Sequence, residues 1–148
     1  MEHDSTETLC GRGTQLTLPE DYKTEPGFDL AEDHIGPFYF RVVEGEMDCA
    51  FLASEQHCNA NGTVHGGVLM TFADYALCMA ATEGYADESC VTVSFSCEFI
   101  SAAELGGVVS CIPKITRKTG GMVFLTGEVN SGDALCLTFS AVVKRLRS

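Results

Sequence analysis

The sequence predicts one α+β domain in which an antiparallel sheet of about five to six strands wraps around a single long helix. Three observations carry this. The stretch opened by Gly66 and Gly67 and running to Glu83 is too long for an ordinary strand. It is dense in good helix formers (Leu69, Met70, Phe72, Ala73, Ala76, Leu77, Met79, Ala80) that cover nearly the whole circumference. The segment from Cys90 to Ile100 alternates with period two, and the other apolar stretches are short and joined by hairpin-length links. A helix apolar all round is buried on most sides, and one face of an antiparallel sheet can bury it while the other stays available.

In chain order, residues 1–33 are acidic, with scattered Gly, Thr and Pro and no sustained period. They read as an N-terminal arm with room for a short helix, ahead of a domain over residues 34–148. Phe38 to Val43 and Glu46 to Ser54 are two strands joined by a tight turn at Glu44-Gly45. Glu55 to His65 is a polar loop, and the helix follows. In the next strand Val91, Val93, Phe95, Cys97 and Phe99 read as one face, and Thr92, Ser94, Ser96 and Glu98 as the other. Val108 to Thr116, Met122 to Asn130 and Ala134 to Arg145 complete the set, with Pro113 marking an edge or a bulge.

The chain has 148 residues, 45% apolar and 20% charged, close to one ordinary domain. Its longest apolar run, Val68 to Ala81, is shorter than the roughly 20 residues of a membrane span and carries Asp74 inside it. The start of the chain lacks the basic and apolar regions of a secretion signal, so the expected location is cytoplasmic. A net charge of -12 argues against nucleic acid and anionic membranes as partners. The charge is uneven: residues 1–104 hold 19 acids against three bases, and the rest hold six bases against Glu128 and Asp133. Bases cluster at Lys114, Arg117 and Lys118, and again at Lys144, Arg145 and Arg147. Eight cysteines without a C-x-x-C pair read as reduced core residues, and no short-spaced ligand pair builds a metal site from His57, Cys58, His65 and Asp74.

Chemistry concentrates in His57 to Gly67 and at Asp74. Gly66 and Gly67 at a helix start admit close approach to the backbone, and first-turn N–H groups lack helical partners, which makes a donor site for a carbonyl oxygen or oxyanion. Asp74 is the one acid between Glu55 and Glu83, amid apolar neighbours. A carboxylate there needs a partner, such as the Thr92 hydroxyl, or a function.

The pattern H-x-N-x-x-G-x-x-H-G-G over His57 to Gly67, with Asp74 seven residues after the second Gly, resembles the hotdog-fold acyl-CoA thioesterases of the PaaI-like group, within the 4-hydroxybenzoyl-CoA thioesterase superfamily. The resemblance covers roughly Phe38 to Arg145 and implies hydrolysis of an aryl- or medium-chain acyl-CoA to free acid and CoA. It implies no metal or redox cofactor, CoA being part of the substrate. By the same resemblance Asp74 is the catalytic carboxylate, as general base or nucleophile. The Gly66 N–H, with His65 beside it, polarises the thioester carbonyl, and Gly67 adjoins the substrate. Asn59 helps hold the attacking water or the thioester, and Thr92 matches a Ser or Thr that bonds the water. Arg117, Lys118, Thr119 and Gly120 match a turn that contacts the nucleotide end of CoA. The stretch Ser101-Ala-Ala departs from relatives, which often carry Ser-Pro there.

Eight residues of helix separate Asp74 from Gly66 by about 12 Å, too far for both to act on one carbon. If both are catalytic they come from two chains related by a two-fold axis. The resemblance implies the same homodimer with composite sites, and beyond it a dimer of dimers. Phe72, Tyr75, Met79, Phe95 and Phe99 are candidate walls of an acyl slot. The alternative from another class is a non-catalytic acyl-CoA binder or sensor with the same fold.

Overall fold

The computed structural model describes residues 16–147, so the first fifteen residues of the expected arm, Cys10 among them, lie outside the described part. The elements in chain order are α1 (Leu30–Ile35), β1 (Tyr39–Val43), β2 (Glu46–Leu52), a 3-10 turn (Glu55–His57), α2 (Gly66–Thr82), β3 (Ser89–Phe99), β4 (Val108–Cys111), β5 (Lys114–Lys118), β6 (Met122–Ser131) and β7 (Ala134–Leu146). All strand pairs are antiparallel, in the order β1-β2-β4-β6-β7-β3, and β5 also pairs with β6. This is a hotdog: a sheet curled around one long helix. No helix among the described residues is long and apolar enough to cross a membrane.

The sheet has seven strands because the segment expected as one strand over Val108 to Thr116 is two. Pro113 has no N–H to give a ladder, and the chain breaks there. β4 pairs with the end of β6 at Val129 to Ser131, and β5 with its beginning at Val123 to Thr126. The turn between β1 and β2 has positive φ at both Glu44 (51°) and Gly45 (78°), the backbone a two-residue hairpin requires.

α2 buries Leu69, Phe72, Ala73, Ala76, Leu77, Cys78, Met79 and Ala81 against the sheet. At its centre Phe72 packs edge-on against Phe51 at 4.9 Å between ring centroids, and Phe38 lies 5.3 Å from each. Thr82 is buried too; its hydroxyl donates to the Cys78 carbonyl and accepts from the Tyr85 N–H. Cover is incomplete along one stripe of the helix: Gly67 and Met70 are exposed and Thr71 and Asp74 only half-buried, at i, i+3, i+4 and i+7.

β3 departs from its expected faces. Its register against β7 passes from Thr92↔Val143 to Ser94↔Val142, so Val93 is an extra residue in a β-bulge. The bulge inverts the alternation: Cys90 and Thr92 face inward with Phe95 and Cys97, whereas Val91 (46% exposed) and Val93 (53%) face out. A strict period-two reading assigns Val91 and Val93 to the face of Phe95, and one extra residue is enough to overturn that.

The described part of the arm lies against the domain. Lys23 bridges to Phe40, and Phe28 meets Tyr85 at 4.9 Å. Arg41 donates to Asp48 (2.8 Å) and Asp21 (3.0 Å) beneath the ring of Tyr22, whose hydroxyl donates to Asp48 at 2.7 Å. α1 straddles the expected boundary at residue 33 and packs on α2, capped by the Asp29 side chain accepting from the Glu32 N–H.

A cavity of about 30 Å³ lies beside Glu32, whose Oε2 is buried with no hydrogen-bond partner among the described residues. Burial, then the neighbouring Asp29, pushes the Glu32 carboxyl up to about 8. The unfolded chain releases this proton near 4.5 and the folded chain near 8, so folding is favoured at low pH and loses that contribution as pH rises through this window. Melting temperatures from pH 5 to 9 should fall for the wild type relative to Glu32→Gln; parallel curves would mean the carboxyl titrates freely in the folded chain.

Candidate functional site

The approach to α2 is held by His57 and Asn59. His57 is buried; its Nδ1 accepts from the Ser54 N–H at 3.0 Å, so Nε2 carries the proton and donates to the Ile35 carbonyl at 2.8 Å. It pins this loop to the end of α1. Asn59 Oδ1 accepts from the N–H groups of Asn61 and Thr63, and its Nδ2 donates to Thr63 Oγ1. The side chain shapes its own loop and retains one amide hydrogen. Within one chain it makes no hydrogen bond to Asp74.

His65 is the N-cap of α2, its Nδ1 accepting from the Gly67 N–H at 2.8 Å. The Gly66 N–H has no partner among the described residues. Gly66 is also a close approach: a Cβ there would lie 3.0 Å from the Phe99 ring, and one on Gly67 3.0 Å from His65 Nδ1. Phe99, 56% exposed, forms with Gly66, Leu69, Ile100 and Ser101 a shallow recess of about 330 Å³ at the helix N-terminus.

Two turns along α2, Asp74 Oδ1 accepts from Thr92 Oγ1 at 2.6 Å, a length typical of a hydroxyl donating to a carboxylate. Oδ2 has no partner among the described residues. Asp74 and Thr92 are thus brought together, while Gly66 and His65 stand at the far end of the same helix.

The basic residues form a second locus. Glu88, from the loop before β3, is gripped by Arg145 Nε at 2.9 Å, with Arg147 Nε at 3.6 Å and Lys118 Nζ at 3.7 Å. These charges, Arg145 first, hold its carboxyl below the usual carboxylate value. Arg145 also donates to the Thr119 carbonyl and Arg147 to that of Gly120, while Thr119 Oγ1 closes the turn onto Met122. Arg117 and Lys144 are exposed with no ion pair among the described residues. Sequence reasoning missed Glu88 because its partner Arg145 is 57 residues away and no local pattern marks the pair. Of the five candidate acyl-slot residues, Phe72 and Met79 are core, Phe95 stacks on Phe139, and Tyr75 packs against Phe38 and Phe72. Only Phe99 opens to a recess beside Gly66.

A model of the thioesterase superfamily matches residues 61–137, from the loop before α2 into β7. A Pseudomonas aeruginosa protein provisionally named as an esterase is 30% identical over 133 residues, spanning 86% of this chain and 96% of its own. A variant of the phenylacetic acid degradation protein PaaI from Thermus thermophilus is 24% identical with a TM-score of 0.69, over 80% of this chain and 100% of that one. A Bacillus halodurans protein solved with CoA is 19% identical with a TM-score of 0.67, over 74% of each chain. These two structures speak for the fold alone.

The His65 cap should be measurable by urea denaturation. His65→Ala removes the acceptor of the Gly67 N–H and should cost about 1 kcal/mol, and His65→Asn should recover most of it. Equal stability of all three chains would show that the imidazole does not cap α2.

Proposed function

We propose that this chain, which belongs to the thioesterase superfamily and has the hotdog fold, acts as a member of its PaaI-like group and hydrolyses an aryl- or medium-chain acyl-CoA thioester with Asp74 as its catalytic carboxylate. Thioester hydrolysis is the general activity of that family. The observation that carries the assignment of Asp74 is its hydrogen bond from Thr92 at 2.6 Å on the one incompletely covered stripe of the central helix. Thr92 holds Oδ1 and orients the carboxylate, and Oδ2 is left to take a proton from water or to attack the thioester carbon.

The carbonyl acceptor site is the Gly66 N–H at the positive end of α2. Being about 12 Å from Asp74 along one helix, it serves the carboxylate of another protomer, so the site forms between Asp74 of one chain and the partner subunit's Gly66. Asn59, on the loop that leads into α2 at Gly66, presents its remaining amide hydrogen to the water or thioester there. Two features support a second copy on this side. β3 is a terminal strand of the sheet, 11 residues long, with one charged side chain, Glu98, along it. Such an edge is a template for pairing. Val91, Val93, Phe99 and Ile100 are exposed along or just beyond it, and Phe99 reaches the N-terminus of α2 at Gly66.

The 3′- and pyrophosphate groups of CoA go to the turn at Lys118 to Gly121. Arg117 and Lys144 meet them directly, and Lys118, Arg145 and Arg147 leave an excess of positive charge after Glu88 is counted. The acyl group occupies the recess under Phe99 and Ile100. In this reading the protein works in the cytoplasm as a homodimer, two dimers associating into a tetramer, with no metal or redox cofactor.

Acetyl-, hexanoyl-, lauroyl-, phenylacetyl- and hydroxybenzoyl-CoA, followed by loss of thioester absorbance, provide the test. Asp74→Asn should lower kcat about a hundredfold or more, with Thr92→Val impaired less. Binding of these esters without turnover by the wild type would leave an acyl-CoA sensor instead. Single turnover in oxygen-18 water separates the routes, label in Asp74 marking direct attack. Val93→Lys should turn the sedimenting dimer into an inactive monomer; a monomeric wild type with full activity would overturn the composite site.

A further inference from the structure

Next to the Asp74–Thr92 pair lie two sulfurs that hydrolysis does not use. Cys78 follows Asp74 by one helical turn, is buried, and has its Sγ 3.5 Å from Thr92 Oγ1. Cys90 precedes Thr92 by two residues on β3. Because the bulge comes only after Thr92, both share the inward face. One turn of α2 from Asp74 to Cys78 rises about 6 Å, and two residues of β3 from Thr92 to Cys90 span about 6.6 Å. With Asp74 and Cys78 both against Thr92, the Cys90 side chain on the same face is the neighbour of Cys78. Asp74 and Glu88 are the acidic groups that face Cys90.

We propose that Cys78 and Cys90 form a peroxide-sensitive dithiol whose oxidation to a disulfide switches the Asp74–Thr92 site off. Contacts from Cys78 and Tyr85 bring the Cys90 thiol below its ordinary value, while the partnership with Cys90 and burial raise Cys78. Cys90, half-buried, is the sulfur that attacks, and Cys78 the one that resolves. The core pair Cys49 and Cys111 makes the contrast: they face each other across β2 and β4, but burial pushes both thiols up, Cys111 to about 12.

The Cys90 thiolate attacks one oxygen of hydrogen peroxide; the O–O bond breaks, an S–O bond forms, and the departing hydroxide takes a proton to become water. Cys78 then attacks the sulfur of the resulting sulfenic acid. The S–S bond forms, the S–O bond breaks, and the hydroxide leaves as water with the Cys78 proton. Two thiols are oxidised by two electrons in all, and one peroxide is reduced to two waters. The disulfide removes the S–H beside Thr92 Oγ1 and ties β3 to α2 two residues from Thr92, turning its hydroxyl off Asp74 Oδ1.

The chemistry of the pair stands independently, whereas the switch rests on the thioesterase reading, so the experiment follows both. The reduced full chain is treated with hydrogen peroxide, its remaining thiols are alkylated, and peptides are mapped by mass spectrometry. The expected product lacks the mass of two hydrogens and yields a Cys78–Cys90 cross-linked peptide. Its acyl-CoA hydrolysis falls about tenfold or more and returns with dithiothreitol. Cys90→Ala, or Cys90→Ser where Ala folds poorly, should keep the reduced-state rate and lose both cross-link and sensitivity, whereas Cys97→Ala should keep both. Absence of the cross-linked peptide overturns the dithiol. A cross-linked chain hydrolysing at the reduced rate overturns the switch alone. A reduced wild type without turnover removes the thioesterase reading and the switch with it, while the peptide map still decides the dithiol.

Discussion

A helix of 17 residues, apolar nearly all round, must be shielded from water on every side, and one curled antiparallel sheet reaches only part of its circumference. The rest of the structure answers to that constraint. The sheet supplies Phe51, Val109, Val123, Leu125, Val129, Leu137 and Val143, all essentially inaccessible, and α1 closes over another part of the helix. What neither covers is the stripe of Gly67, Met70, Thr71 and Asp74, flanked by the exposed apolar edge of β3. Uncovered helix and unpaired strand lie on the same side, and the polar residues of interest lie along them.

The same constraint explains the form of the polar interior. A carboxylate among apolar neighbours must be hydrogen-bonded or it destabilises the fold. Asp74 has Thr92, and Thr92 reaches it because a one-residue bulge at Val93 sets the start of β3 a step out of phase with its end. The bulge thus couples a backbone irregularity to a chemical site, and it keeps Cys90 on the inward face with Thr92. Thr82 meets the same requirement locally by bonding back to Cys78. Glu32 fails to meet it at one oxygen and holds its proton instead.

Charge is distributed by the same topology. The described acids from Glu20 to Glu104 are mostly exposed or paired near the arm, as with Asp21 and Asp48 around Arg41. The bases of the last strands converge because β5 and β7 end beside the start of β6, which brings Lys118, Arg145 and Arg147 around Glu88. One carboxylate spaces three cations that would otherwise repel one another, and the locus keeps a positive excess on a molecule of net charge -12.

The strands around one buried helix from Gly66, the tight turn at Glu44-Gly45 and an irregularity at Pro113 were legible along the chain, where Gly66, Asn59 and Asp74 also stand out as candidates. Each is carried by residues adjacent in sequence, through periodicity, turn chemistry or spacing on one helix. Even the hydroxyl partner of Asp74 was within reach, since Thr92 is a small donor in the next strand. The outward facing of Val91 and Val93, the pairing of Glu88 with Arg145, the closing of Asn59 on its own loop, and the placing of Cys78 against Thr92 were decided only on folding. They depend on the register between distant strands and on a single inserted residue. The energy that sets a register is shared across a whole ladder of cross-strand contacts, so no local run of residues announces it.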